Sequence, residues 1–274
     1  QDPRSLVQRL AYEASFLFSL MRSLPRGDFD LTMVYCPLVG AVAFGFLHKL
    51  WHRGPLWLNV QDLSADAAAA SGIARGAALK KILSLVQDTF FNVADIWSSI
   101  SPVMIDRLAP RRRREQPLLY LPNWLNGSMA DEIATLPNKT GRAPGAPIRL
   151  LYAGNIGTKQ DLLRFCELLR KSDANFDFRI HGDGGLAQAV NGWVDTSDDP
   201  RFHFGPFLDE PGFARALHDT DFFVITEKAA SGGSFIPCKT IAGIASGSPI
   251  LSVCDVDSPL GREVREHNLG PSFS

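Results

Sequence analysis

Two segments in the second half of the sequence each combine glycine with lysine. The first, LYAGNIGTKQ over residues 151–160, carries Gly154, Gly157 and Lys159 directly after an apolar run. Glycine lets a backbone approach a bound group closely, and a lysine beside unpaired backbone N–H groups favours a diphosphate. Glycine-containing turns also join strands to helices without binding anything. Alone, the segment therefore indicates an anion site only weakly.

The second segment is SGGSFIPCKT over residues 231–240, before a helical run that contains Ala242. Pro237 suits the first turn of a helix, so the backbone N–H groups near Cys238, Lys239 and Thr240 are predicted to face a ligand. An ordinary helix start after a loop would look similar. Both segments follow predicted strands of the same domain, where open α/β sheets bind their ligands, and this agreement strengthens the prediction.

The positions of these segments depend on strands that alternate with helices along the whole chain. Short β-rich runs are separated by helical spacing and by Gly, Pro and Asn turns, which predicts α/β architecture with parallel sheets covered on both faces. The predicted strands are residues 31–35, 56–60, 96–100, 118–121, 148–153, 176–181, 202–204, 221–226 and 249–253.

The stretch NKTGRAPGAP, residues 138–147, reads as a linker because it is rich in Gly, Pro and polar residues. It predicts a first Rossmann-like domain over residues 1–137 and a second over residues 148–274. In the first domain, the helical spacing of residues 4–24 indicates an amphipathic helix. Core packing is favoured for this helix over contact with a membrane.

Composition excludes several classes of protein. The chain has 274 residues and a net charge of −1, which argues against nucleic acid as a partner. Four widely spaced cysteines without a Cys-x-x-Cys pair fit a reducing, cytoplasmic compartment. No uninterrupted apolar run is long enough for a membrane span, which leaves a cytoplasmic protein or one bound peripherally at the inner face of the cell membrane.

The strings AGNIGTKQ, HGDGG and SFIPCKTIAGIASGSPIL together resemble the donor domain of family-4 retaining glycosyltransferases, especially those of bacterial exopolysaccharide, capsule and O-antigen assembly. The resemblance extends back to VQD at residues 60–62, Ser101-Pro102 and LPNW at residues 121–124. It implies the GT-B fold, in which two Rossmann-like domains with parallel sheets face a cleft. Against that pattern, the first domain is expected to lack its first strand and the second its C-terminal helices.

The resemblance also implies a site. Lys159 would hold the donor diphosphate and serve catalysis, while Asp62, after a strand of the first domain, would orient the acceptor or accept its proton. The implied donor-binding residues are Gly154, Asn155, Gly157, Lys159, Gly182, Asp183, Gly184, Ser234, Phe235, Cys238, Lys239 and Thr240.

The function implied is transfer of a sugar from a nucleotide diphosphate sugar, a UDP-sugar by preference, to a glycan or lipid-linked acceptor. Retention of configuration is implied, with no metal and no cofactor. Contact with an anionic membrane is an open alternative, to which the basic run at residues 111–114 would contribute, although a solvated loop is the simpler interpretation of that run.

Two positions depart from the family pattern. Many members carry two glutamates eight residues apart in the second segment, where this chain has Ser234 and Ala242. The departure supports an alternative function, a catalytically inactive nucleotide-sugar-binding subunit that assists a partner glycosyltransferase. A sugar-nucleotide epimerase is a further rival, which would need acid and base groups that the sequence does not make evident.

Four other ionisable residues invite chemical roles. Glu227, directly after a strand, is expected to be a solvated loop carboxylate rather than a substitute for a missing acid. His181 is interpreted at least as well as a structural histidine as a phosphate contact. His48 and His52 have the spacing of metal ligands on a helix, but without an evident third ligand a metal site is not expected.

Overall fold

The computed structural model describes residues 6–23, 29–36, 39–52, 54–62, 77–139, 141–229 and 237–274. The chain divides into two compact units, the first ending at Pro122 and the second beginning at Asn123. Each unit contains one parallel sheet. The predicted alternation of strands and helices is therefore confirmed in both halves.

The first unit contains a four-stranded parallel sheet with the sequential order β1-β2-β3-β4. Its strands are β1 (Thr32–Cys36), β2 (Leu56–Val60), β3 (Ile96–Ser99) and β4 (Leu118–Tyr120). Its helices are α1 (Leu6–Arg22), α2 (Val39–His52), α3 (Ala77–Phe91), α4 (Pro102–Leu108) and a 3-10 turn, Ala109–Arg111. Among the described residues, the helices are too short or too polar for any of them to cross a membrane.

Apolar packing and a helix cap position the end of β3. Trp97 is fully buried in the core of the first unit, where its ring meets Phe91 edge-on at 5.8 Å between centroids. Beyond the strand, Ser101 caps α4 by accepting a hydrogen bond from the Met104 N–H, and Pro102 occupies the first turn. A hydroxyl cap followed by proline is a typical helix start, because proline has no N–H to satisfy.

The basic run at residues 111–114 is more than the solvated loop that the sequence predicted. Arg114 donates to the carbonyl oxygens of Asn92 and Ala94, at 2.9 and 3.2 Å. Arg111 pairs with Asp88 at 3.2 Å. These bonds satisfy carbonyl groups between α3 and β3, so part of the run stabilises the first unit.

The second unit contains six parallel strands in the order β7-β6-β5-β8-β9-β10. They are β5 (Ile148–Asn155), β6 (Phe176–Asp183), β7 (Phe202–Gly205), β8 (Phe222–Thr226), β9 (Ile250–Val253) and β10 (Ser272–Phe273). In chain order this is 3-2-1-4-5-6, the order of the Rossmann fold, whose topological switch point lies between the first and fourth strands. Here those strands are β5 and β8.

In the described part of the second unit there are six helices. They are α5 (Gly127–Thr135), α6 (Leu162–Arg170), α7 (Ala187–Ser197), α8 (Glu210–Asp219), α9 (Lys239–Ala245) and α10 (Pro259–Glu266). Two apolar clusters hold them against the sheet. Phe178 and Tyr152 belong to one cluster, and Phe223 and Ala242 belong to the other.

Helix α5 packs with the second unit, whereas the sequence placed all residues up to 137 in the first domain. Met129 is buried in the same cluster as Leu217 and Phe223. Asn126 and Ser128 both donate to the Glu210 carboxylate, with the Asn126 bond at 2.7 Å. The second unit therefore begins before α5, and not after the stretch 138–147 that was predicted as the linker.

We expect Phe178→Ala to lower the free energy of unfolding by about 3–5 kcal/mol, because it empties a fully buried site. Its ring lies 5.7 Å from that of Phe165 and 6.1 Å from that of Phe202, so neighbouring rings cannot fill the space without losing their own contacts. Urea unfolding followed by circular dichroism measures the change. Phe207→Ala is the matched control, since Phe207 is 67% exposed and its loss should change stability by no more than about 0.5 kcal/mol. Equal effects of the two substitutions would contradict the packing described.

Candidate functional site

The two glycine segments that follow β5 and β6 meet at the carboxyl edge of the second sheet. The strands pair to their ends, with Gly154 opposite Gly182 and Asn155 opposite Asp183. The connection continues past the strands, because the Ile156 N–H donates to the Asp183 carbonyl at 2.8 Å and the Leu186 N–H to the Ile156 carbonyl at 3.0 Å. The segments AGNIGTKQ and HGDGG therefore form one backbone surface.

Glycine is required in this surface for conformation and for space. Gly154 and Gly184 have φ values of 125° and 139°, a region that side chains rarely adopt. A Cβ on Gly184 would lie 2.6 Å from both Asn155 Oδ1 and the Ile156 carbonyl oxygen. The loops pack so closely that a methyl group cannot be added without moving one of them.

The Lys239 side chain places the second predicted segment in contact with the first. Lys239 begins α9, and its side chain reaches back over the end of β5, with Nζ 3.8 Å from the centroid of the Tyr152 ring and 3.3 Å from the Ala153 carbonyl oxygen. A Cβ on Gly154 would lie 3.6 Å from Lys239 Cδ. Two segments 85 residues apart therefore share one place at the switch point between β5 and β8.

Burial weakens the positive charge of Lys239. Removal from water lowers the pKa of its ammonium group to about 7, although Cys238 and Glu227 act in the opposite direction. An ammonium over an aromatic face keeps some electrostatic stabilisation, which does not replace full hydration. Cys238 itself is exposed. A bound anion would supply the missing stabilisation of Lys239.

Glu227 is not the solvated carboxylate that the sequence predicted. It is 8% exposed, and among the described residues neither of its two buried carboxylate oxygens has a hydrogen-bond partner of normal geometry. Burial raises the pKa of Glu227 to about 7, against the opposing effects of Ser258, Lys239 and Lys159, while Asp255 raises it further. The short sequence pattern after β8 gave no sign that helices would cover this position.

Three buried hydroxyl groups lie near the carboxyl ends of β8 and β9. Each is buried and lacks a hydrogen-bond partner within the parts of the chain that the structure describes; they are Thr226 Oγ1, Thr240 Oγ1 and Ser252 Oγ. Buried polar groups are nearly always paired with protein or water. Their concentration here, together with Glu227, indicates a place where a polar molecule or water belongs.

Lys159 lies in the loop between β5 and α6. Its carbonyl oxygen accepts a 2.7 Å hydrogen bond from the Lys228 N–H, which ties the loop after β5 to the loop after β8. The neighbouring Gly157 N–H donates to Gln160 Oε1 at 3.0 Å. The Lys159 charge also acts on Glu227, so this lysine belongs to the same electrostatic environment as Lys239.

Other predicted site residues are not assembled here. Ser234 and Phe235 lie outside the described residues. Asp62 follows β2 in the first unit, where its carbonyl oxygen accepts a hydrogen bond from the Cys36 thiol at 3.3 Å. Ala242 is buried in the apolar cluster under α9, in a position that packs the helix onto the sheet. The catalytic role of Asp62 stays a prediction.

Two of the three histidine candidates have structural surroundings, and the side chain of the third, His52, lies outside the described part of the chain. His181 Nδ1 lies 3.1 Å from the Pro206 carbonyl oxygen, and Gly205 packs closely against its ring. His48 Nδ1 lies 3.1 Å from Thr32 Oγ1, and its ring packs against Phe44. No group of three or more His, Cys, Asp or Glu side chains arranged to hold a metal occurs within the described ranges.

A pocket of about 360 Å³ lies at the opposite, amino-terminal edge of this sheet. Its charged groups are engaged with the protein. Lys139 Nζ donates to the Leu217 carbonyl and to Ser248 Oγ, at 2.8 and 2.6 Å, and Arg149 pairs with Asp221 at 2.8 Å. Hydrogen bonding to Arg149 lowers the pKa of Asp221, so that pair stays ionised. These contacts connect the amino-terminal ends of the strands, and they do not indicate a ligand site.

We expect Gly184→Ala to destabilise the second unit by about 1–3 kcal/mol, because it adds backbone strain and a steric clash between the two loops. Gly192→Ala is the matched control, since Gly192 lies within α7 and a Cβ there would meet nothing within 4 Å. That control should gain about 0.4–1 kcal/mol. Thermal unfolding of both variants measures the two signs, and destabilisation by both would contradict the geometry at Gly184.

Glu227→Gln should stabilise the unliganded protein above neutral pH. The usual pKa is 4.5 and the folded value about 7, so the contribution of Glu227 to stability is complete below pH 4.5 and is lost as pH rises through 7. Glutamine avoids this loss and should be about 1–3 kcal/mol more stable than glutamate at pH 8, with little difference at pH 4.5. Urea unfolding at both values tests the sign. The exposed Glu167→Gln serves as control, and a Glu227→Gln effect independent of pH would contradict the buried carboxylate.

No family model matches the chain, and no curated protein matches it by sequence. The structure resembles sucrose-phosphate synthase from Thermosynechococcus elongatus, with a TM-score of 0.68 and 13% identity over 92% of this chain and 62% of that one. It also resembles Anabaena HepE, solved with UDP and glucose, with a TM-score of 0.65 and 12% identity over 99% and 70% of the two chains. A UDP-N-acetylglucosamine 2-epimerase matches with a TM-score of 0.50 and 10% identity, over 96% and 64%.

The present chain thus spans less than two thirds of the sucrose-phosphate synthase that it matches. At these identities the similarity concerns architecture. Two parallel sheets, the second in Rossmann order, and structural neighbours among the GT-B glycosyltransferases agree with the fold that the sequence predicted. The chain has the GT-B fold.

Proposed function

We propose that this protein is a glycosyltransferase whose second unit binds a nucleotide diphosphate sugar, by preference a UDP-sugar. The observation that carries the proposal is the position of Lys239, which lies across the end of β5 at Gly154, together with buried polar groups nearby that have no partner among the described residues. Rossmann-type sheets bind their ligands at this switch point. The neighbour HepE was solved with UDP and glucose, which supports the choice of base.

In this proposal the chain stabilises the departing diphosphate. Lys159 and Lys239 place two positive charges near the same strand ends, where negative charge develops as the bond to the sugar breaks. Gly154 and Gly184 keep the backbone free of side chains at that edge. Asn155, Asp183, Gly157 and Gly182 would line the same edge, with Cys238 and Thr240 beside Lys239. Two lysines can balance a diphosphate, so we propose metal-independent transfer without a cofactor.

The acceptor half of the reaction is proposed from the resemblance. Asp62, after β2, would orient the acceptor hydroxyl or accept its proton. The family implies retention of configuration and a glycan or lipid-linked acceptor of the exopolysaccharide type. Peripheral binding to the inner face of the cell membrane is proposed with it. It is supported by Phe18 and Tyr12 on α1, which are 64% and 54% exposed and so do not serve core packing alone.

Two other functions have an observation in their favour. Ala242 is an apolar core residue where many relatives carry a glutamate, which favours a nucleotide-sugar-binding subunit without activity. The buried Glu227, whose pKa lies near neutrality, is the kind of acid and base group that an epimerase needs. Both alternatives predict donor binding, so turnover distinguishes them from the transferase.

The test is a panel of UDP-, GDP-, ADP- and TDP-glucose with wild type, Lys159→Ala and Lys239→Ala. A donor at ten times its Kd should raise Tm by about 2–4 °C, and each substitution should weaken its binding about 10–100-fold through loss of a charged contact. Calorimetry measures the affinities. The exposed Lys171→Ala is the control and should bind like wild type.

Turnover is followed by NMR of the same mixtures. Slow hydrolysis of the bound donor supports the transferase, binding with no change in the sugar supports the inactive subunit, and inversion at a sugar carbon supports the epimerase. If all four donors leave wild type unchanged, or if Lys171→Ala weakens binding as much as the two site variants, the proposed donor site is wrong.

A further inference from the structure

The Glu227 side chain follows the alternating pattern of β8 and points to the face of the sheet that α9 and α10 cover. Phe223 and Ile225 point into the apolar cluster that includes Ala242 of α9 and Leu260 of α10. Successive side chains of a strand alternate between faces, and the Glu227 N–H still pairs with the Val253 carbonyl at 2.8 Å. The Glu227 carboxylate therefore lies on the same face, between the starts of the two helices.

The surroundings of this carboxylate combine a helix cap with charged groups. Ser258, the N-cap residue of α10, accepts the Gly261 N–H at 3.1 Å, and its hydroxyl group also lowers the pKa of Glu227. The charged and titratable groups that act on Glu227 are Asp255 and Cys254 after β9, Lys239 at α9 and Lys159 in the loop after β5. Within the part of the chain that the structure describes, neither carboxylate oxygen makes a hydrogen bond of normal geometry, while two cationic side chains lie in its electrostatic environment.

The Lys239 ammonium group has only weak partners among the described residues. It contacts the Tyr152 ring face and the Ala153 carbonyl, neither of which carries a formal negative charge. A phosphate oxygen would be a stronger partner for this ammonium, and a ligand oxygen would be an acceptor for a protonated Glu227. Each group gains from the same anionic ligand only when it carries a proton.

We propose that Glu227 and Lys239 form a proton-uptake pair: the site takes up protons when the diphosphate of a nucleotide sugar binds, and Glu227 donates a hydrogen bond to the ligand as a neutral carboxylic acid. This inference rests on the proposed donor site. It assigns to Glu227 a ligand contact that the motif resemblance did not, and it makes donor binding dependent on pH.

The direction of the effect follows from the charges. In the empty site burial brings the pKa of both groups to about 7, so both groups titrate across the neutral range. A bound anion favours the ammonium over the amine and the neutral acid over the carboxylate, which raises both pKa values. Binding then takes up roughly one proton at pH 7, and between pH 6 and 8 the affinity falls about tenfold for each titrating group, or about 100-fold for the pair.

The experiment is calorimetry with each of UDP-, GDP-, ADP- and TDP-glucose at pH 7, in HEPES and in imidazole, whose ionisation enthalpies differ. A nucleotide sugar is the appropriate probe because its diphosphate is esterified at both ends, whereas the terminal phosphate of a nucleoside diphosphate itself titrates near neutrality, at about 6. The dependence of the observed heat on the buffer gives the number of protons taken up. Affinities at pH 6, 7 and 8 complete the measurement.

We expect wild type to take up about one proton and Glu227→Gln about half of one, with the affinity of the variant falling only about tenfold from pH 6 to 8. Glutamine retains a hydrogen-bond donor, so binding at pH 6 should be nearly unchanged. Lys239→Arg tests the other group, because arginine keeps its charge over this range and should also remove about half of the uptake. Glu167→Gln should behave like wild type.

Donor binding with equal heats in both buffers would overturn the pair while leaving the donor site intact. The same holds if Glu227→Gln and wild type show the same uptake and the same pH dependence. If none of the four nucleotide sugars binds wild type, the donor site itself fails, and the proton-uptake pair fails with it.

Discussion

Lys239 on the face of Tyr152 is the contact on which the organisation of the second unit's site depends. It requires β5 to end beside β8, which the Rossmann order provides, and glycine at position 154, where the backbone φ of 125° disfavours a side chain. It also requires α9 to begin at Lys239 and to be held down by Ala242 and Gly243 against Phe223 and Ile250. The apolar packing under the helix thus determines where a charged group lies.

The close pairing of β5 with β6 provides the other half of the site. Because Gly154 lies opposite Gly182 and Gly184 packs against Asn155, the backbone forms the surface at this edge and side chains stay off it. Lys159 and Lys239 lie at the same strand ends, so this edge carries positive charge. At the amino-terminal edge, by contrast, Arg149 pairs with Asp221 and Lys139 donates to a backbone carbonyl group.

Nine of the strands could be predicted from the sequence, because each is a short apolar run that ends at a turn, whereas the two-residue strand β10 was missed. The predicted strand 148–153 became Ile148–Asn155, and 176–181 became Phe176–Asp183, longer by the residues whose pairing depends on the partner strand. The sequence could not predict that α5 packs with the second unit, because the cluster that buries Met129 exists only in the folded chain. Glu227 was misjudged for the same reason: a glutamate beside a turn is usually solvated, and the two helices that cover it begin 12 and 32 residues later in the sequence.

The cost of that burial has a consequence for how the site works. A buried carboxyl group with no hydrogen bond of normal geometry among the described residues, and an ammonium group whose pKa is lowered by burial, both destabilise the empty unit, and one anionic ligand would stabilise both. An exposed pair of the same residues would be hydrated and would gain less from the ligand. If the proposed donor site is correct, the apolar clusters around Phe223 and Tyr152 would limit hydration of these two side chains, and their protonation would distinguish the empty site from the occupied one.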